Sequence, residues 1–107
     1  ILHIHLIPLK MLEIINQVFS IQLKSNKENL SLFNRNVDRI NHEFENLGYN
    51  IINPIGQTYR NEMTDVEANI TGEINTQMKI VKVLKPIVYK KINDQNTLVQ
   101  KGIVIVE

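Results

Sequence analysis

Two histidines, His3 and His5, flank Ile4; on a strand both imidazoles would face one side and could hold a metal. A protein metal site takes three or four ligands, and the remaining histidine, His42, falls far away in a helical stretch. An exposed N-terminal segment accounts for the pair, and no metal is expected. Carboxylates also come in pairs: Glu43 with Glu45, and Asp65 with Glu67. Acid–base work needs two such groups in a cleft that drives their pKa values apart. Glu43 and Glu45 flank Phe44, a position of inward type, which turns both acids to solvent. Asp65 and Glu67 alternate with Val66 and Ala68, so they too point outward. Ser20, Ser25 and Ser31 lie in or beside helical stretches with no glycine elbow to present a nucleophile. The four glycines, Gly48, Gly56, Gly72 and Gly102, are too scattered to cradle a phosphate. With no cysteine, disulfides and thiolate chemistry are excluded. The pattern is that of a chain without catalysis or cofactor.

The charge is distributed unevenly. Across 107 residues the formal net charge is +1. Residues 28–73 hold Glu28, Asp38, Glu43, Glu45, Glu62, Asp65, Glu67 and Glu73 against Arg35, Arg39 and Arg60. Residues 74–101 hold Lys79, Lys82, Lys85, Lys90, Lys91 and Lys101 against Asp94. The C-terminal part should attract an acidic partner, or else form a solvated sheet edge whose lysines block aggregation. Only Tyr89 interleaves those lysines, which makes nucleic-acid binding a weak alternative. Apolar runs fall far short of the roughly 20 residues that span a bilayer, and the start lacks the basic region and cleavage site of a signal peptide. A cytoplasmic location without membrane contact is expected.

The elements follow from apolar spacing. Pro8 suits the first turn of a helix, and Leu9, Leu12, Ile15, Val18 and Phe19 continue it at helical spacing, with Ile14 and Ile21 broadening the stripe. Ser25-Asn26-Lys27-Glu28 has the form of a capping box opening a second helix. Phe33, Val37, Ile40, Phe44 and Leu47 then repeat at intervals of 4, 3, 4 and 3, an a/d seam that Gly48 terminates. The hairpin carries more apolar surface than one helix covers, which predicts a homodimeric four-helix bundle; the alternative is that the β-region covers the remaining face. The period then changes to that of strands: Tyr49–Asn53, a turn at Asn53-Pro54-Ile55-Gly56, Val66–Ile70 ending at Thr71-Gly72, Ile80–Lys85 stopped by Pro86, a turn cluster at 93–96, Thr97–Gln100 and Ile103–Val106. The expected fold is α+β: residues 1–48 a helical hairpin for dimerisation, residues 49–107 a small all-β domain of short antiparallel strands for partner docking.

The order of these elements resembles the C-terminal part of the GrpE-type nucleotide exchange factors. Leu6-Ile7-Pro8-Leu9 is similar to the opening of the family's first bundle helix, and Phe44-Glu45-Asn46-Leu47-Gly48-Tyr49 to the end of its second. Ile52-Asn53-Pro54-Ile55-Gly56-Gln57-Thr58-Tyr59 resembles the family's Pro-x-Gly turn, with Pro54, Gly56 and Tyr59 as its fixed points. Ile80–Pro86 and Leu98–Val106 resemble two of its last strands. The family's two chaperone-facing arginines align with Thr97 and Gln100, and its Gly-Tyr-x-Leu-x-Gly-Arg hairpin is replaced by Ile87–Thr97. The resemblance implies a co-chaperone that binds the ATPase domain of a DnaK-type chaperone in its open-cleft state and speeds ADP release. It further implies a dimer held by Leu12, Ile15, Phe19, Phe33, Val37, Ile40, Phe44 and Leu47. The partner would be touched by Lys82, Leu84, Pro86, Thr97, Val99, Gln100 and Val106. An adaptor of the same shape, without exchange activity, is the second expectation.

Overall fold

A computed structural model describes residues 9–29 and 31–107; the His3/His5 pair and Pro8 lie outside them. The chain is α+β, with two helices followed by six short strands.

The first helix, α1 (Leu9–Lys27), runs into the predicted capping box, taking in Ser25, Asn26 and Lys27, instead of stopping before it. Lys24 and Lys27 sit in its last turn, where cations favour a helix C-terminus. Asn29 supplies the stop by taking a left-handed φ of 53°, one of the few non-glycine residues that does so readily. Ser25 is therefore buried inside α1 and does not stand at a helix start. The second helix, α2 (Asn34–Asn46), starts later than expected, with Phe33 at its N-cap and no side-chain cap. Its end is as predicted: Gly48 takes φ 92°, and the Lys90 ammonium donates to the Leu47 carbonyl at 3.2 Å.

The strands are β1 (Tyr49–Ile52), β2 (Val66–Ile70), β3 (Ile80–Lys85), β4 (Ile87–Ile92), β5 (Gln95–Gln100) and β6 (Gly102–Val106). They form two three-stranded sheets, ordered β1-β4-β5 and β2-β6-β3. One long hairpin generates both. Its outgoing arm is β3-Pro86-β4 and its return arm β5-Lys101-β6, with β4 paired to β5 and β3 to β6. β1 flanks the tip half and β2 the base half. All pairings are antiparallel except β2 with β6, which is parallel.

The arm changes sheet at Pro86, which has no N–H to continue a ladder. β4 follows it directly, a strand that the sequence pattern misses. At the tip, Asn93 and Asp94 take φ values of 51° and 63°, the two consecutive left-handed residues of a two-residue hairpin turn. The earlier turn closes as predicted: Gly56 takes φ 83° and the Gln57 N–H donates to the Pro54 carbonyl at 3.1 Å. β3 departs from simple alternation, because register shifts at Ile80/Lys82 and Val83/Lys85 turn Ile80 and Val83 inward and leave Val81 and Leu84 out.

The helices do not stand apart as residues 1–48. Phe19 belongs to the cluster of Val66, Met78, Ile80, Val83, Ile87, Val104 and Val106. Ile15 and Phe44 share a second cluster with Tyr49 and Val88. The sheets thus cover much of the apolar face that a partner helix was expected to take.

Candidate functional site

The seam on α2 divides into two rows. Val37 and Phe44 are buried within the chain, whereas Phe33, Ile40 and Leu47 are 53%, 42% and 57% exposed. Residues three apart on a helix diverge by about 60°. One packing surface covers one row, and only a helix seated between the rows covers both. α1 shows the same division. Ile15 and Phe19 are buried, Leu12 is half-buried, and Ile14 and Ile21, seven residues apart, are exposed. Of the eight residues expected to hold a dimer, Ile15, Phe19, Val37 and Phe44 are therefore filled from within the chain. The rows left open are Phe33/Ile40/Leu47 and Ile14/Ile21.

The seven residues expected to touch a partner do not gather into one patch. Pro86 and Val106 are fully buried and cannot be touched. Lys82 and Leu84 lie exposed on the free edge of β3. Thr97 is exposed and Val99 half-buried on β5, in the other sheet and on the opposite arm of the hairpin.

Gln100 is engaged internally. Its Nε2 donates to Asn16 Oδ1 at 2.8 Å and to the Pro86 carbonyl at 2.9 Å. Asn16 Nδ2 returns a bond to Gln100 Oε1 at 2.9 Å. The residue that aligned with a chaperone-facing arginine thus joins α1 to the hairpin at its kink. No sequence signal marks that pairing, since the two residues are 84 positions apart and both are ordinary surface types.

Lys90 does more than add charge. Besides its bond to Leu47, its ammonium lies 4.9 Å from the centre of the Tyr49 ring, a cation–π contact at the junction of α2 and β1. Burial pushes the Tyr49 phenol above its ordinary range. Tyr89 packs against the core cluster with Leu98, so it is not a free platform for stacking a base.

A cleft of about 310 Å³ opens between α1, α2 and β1, lined among others by Phe19, Gln22, Asn41, Glu45 and Tyr49. Asn41 Nδ2 approaches Gln22 Oε1 across it at 3.4 Å. Glu45 is the single carboxylate in this lining, so the cleft holds no acid–base pair. Glu43 is exposed on α2, Glu67 exposed on β2, and Asp65 half-buried just before β2. Among the described residues, no group of three or more potential ligands is placed to hold a metal. Nor is any helix long and apolar enough to cross a membrane. Compared with family models, curated proteins and solved structures, the chain matches none of them.

Proposed function

We propose that this chain works by docking rather than by chemistry, as a GrpE-like co-chaperone. In this reading two copies pair through the open helical rows, and the exposed β-edges engage the ATPase domain of a DnaK-type chaperone in the cytoplasm. Binding favours the open nucleotide cleft and so speeds ADP release, because a partner that prefers one conformation shifts the population toward it. No reaction is catalysed and no cofactor is required. The observation that carries this reading is the uncovered row Phe33, Ile40 and Leu47, repeating every seven residues beside the exposed Ile14 and Ile21. Apolar rows at heptad spacing are what a second pair of helices would bury. The element order, the Gly48 stop and the Pro54–Gln57 turn add support through the family resemblance.

A second reading, an adaptor of this shape without exchange activity, is favoured by the fate of the expected contact residues. Pro86 and Val106 are buried, and Gln100 is occupied by Asn16 and Pro86. Binding of the full chain to a DnaK-type chaperone of the same organism, nucleotide-free and then with ATP, separates the two. An exchange factor binds the nucleotide-free form and is displaced by ATP. Equal binding in both states favours the adaptor, and no binding in either removes both readings.

A further inference from the structure

Sheet edges attract stray strands, and three of the four edges here are guarded. β3 is bulged twice, carries Lys82 and Lys85, and is covered at its start, where Gly56 and Tyr59 donate to the Ile80 and Met78 carbonyls. β1 is four residues long and leads directly out of α2. β2 carries Glu67. β5 has one register shift near its end, between the pairs Tyr89↔Leu98 and Val88↔Gln100, and differs from the others in composition along its first four residues. Its sequence, Gln95-Asn96-Thr97-Leu98-Val99-Gln100, contains no charge, no proline and no glycine. Gln95, Asn96 and Thr97 are exposed, and among the described residues no backbone hydrogen bond from outside the sheet reaches this strand.

The register says which groups are free. The two-residue turn at Asn93-Asp94 closes on the pair Ile92↔Gln95. Such a turn closes on a hydrogen-bonded pair, and pairs then alternate along an antiparallel ladder. Gln95 and Thr97 therefore direct their N–H and C=O groups to β4, while Asn96 and Leu98 direct theirs to the open side. On β4, the tip turn and the residue just past β5 the charge is mostly basic: Lys91 and Lys101 are exposed, Lys90 is half-buried against Tyr49, and Asp94 is the one acid of that stretch.

The geometry points to β5 as a strand-addition site for an extended acidic segment of a protein partner. The backbone groups of Asn96 and Leu98 supply the pairing, and Lys91 and Lys101 supply the preference for acidic side chains. The inference rests on the docking reading above only for which protein carries that segment; strand addition itself is independent of any chaperone.

The test is titration of the full chain, followed by backbone amide NMR, with a synthetic peptide alternating valine and glutamate. A second peptide of the same sequence is N-methylated at alternate amides. The expected result is saturable binding, with shifts concentrated at Asn96, Thr97 and Leu98, weakened about tenfold or more by N-methylation, which removes bonds and keeps charge. Asn96→Pro should weaken binding likewise, since it deletes an outward N–H and leaves the ladder to β4 intact. Equal binding of the two peptides, lost together as salt rises, would reduce the site to lysine electrostatics and overturn the proposal. So would absence of binding. Concentration-dependent shifts of the same amides without peptide would assign the edge to a second copy instead, which also overturns it. A null result in chaperone assays leaves each of these outcomes readable.

Discussion

Gln100 shows how far a residue's role can lie from its alignment. As a surface residue it would be free to touch a partner; in the fold it holds the kink carbonyl of Pro86 and the amide of Asn16 together. Removing either amide leaves a part-buried partner unsatisfied, so Asn16→Ala and Gln100→Ala should each cost about 1 kcal/mol in urea melts. The double variant should cost less than their sum, because the two residues share one interaction. Tyr49 makes a pH-dependent contribution. Its folded pKa is raised above the unfolded value of 10.0 by burial, so the stability it carries is complete below that pH and is lost as pH rises through the folded value. Tyr49→Phe should therefore flatten the alkaline fall in stability above about pH 10. Gly102 is a packing position: a Cβ there would lie 2.9 Å from Ile87 Cγ1. Gly102→Ala should destabilise by about 1–3 kcal/mol by overpacking, visible as a lower urea midpoint at unchanged slope.

At the scale of elements, much was legible where local chemistry decides. Gly48 and Gly56 take the positive φ their turns require, and the ranges of β1, β2 and β3 follow from period and breakers. The failures have a common cause in competing local signals. Ser25 and Glu28 have capping-box spacing, but the left-handed Asn29 marks the stop of α1, and the box falls across the end of that helix and not at the start of the next. β4 carries two adjacent lysines, which masked a strand buried at Ile87 and Val88. The seam on α2 is real as a spacing, yet only tertiary packing could say that Val37 and Phe44 turn to the sheets and leave Phe33, Ile40 and Leu47 outside. Two substitutions separate these rows. Phe44→Ala should cost about 3–5 kcal/mol in the chain's own stability. Ile40→Asp should leave that stability within about 0.5 kcal/mol, measured at dilutions where copies are separate, because an exposed position tolerates a charge. In sedimentation equilibrium the wild-type chain should run as a dimer and Ile40→Asp as a monomer; a wild-type monomer at high concentration removes the pairing proposed here.

The described chain is a pair of helices laid on one kinked β-hairpin, with apolar rows open on the helices and an uncharged edge strand, β5, at the hairpin's tip. Its architecture was readable as α+β, but the sharing of core between helices and sheets was not, since it depends on Phe19 joining a cluster with strand residues such as Val83 and Val104, which no spacing announces. Two of the expected docking residues show the same dependence: alignment to a family places residues along a chain, and the fold buries Pro86 and Val106. In the proposed reading the exposed helical rows and sheet edges serve other proteins, and their use is to open a chaperone's nucleotide cleft. The most direct measurement is the release rate of a fluorescent ADP analogue from an active DnaK-type chaperone of the same organism, with and without the full chain. The account predicts acceleration of about tenfold or more, equivalent to about 1.4 kcal/mol off the release barrier. An unchanged rate at saturating concentrations of the chain would contradict it.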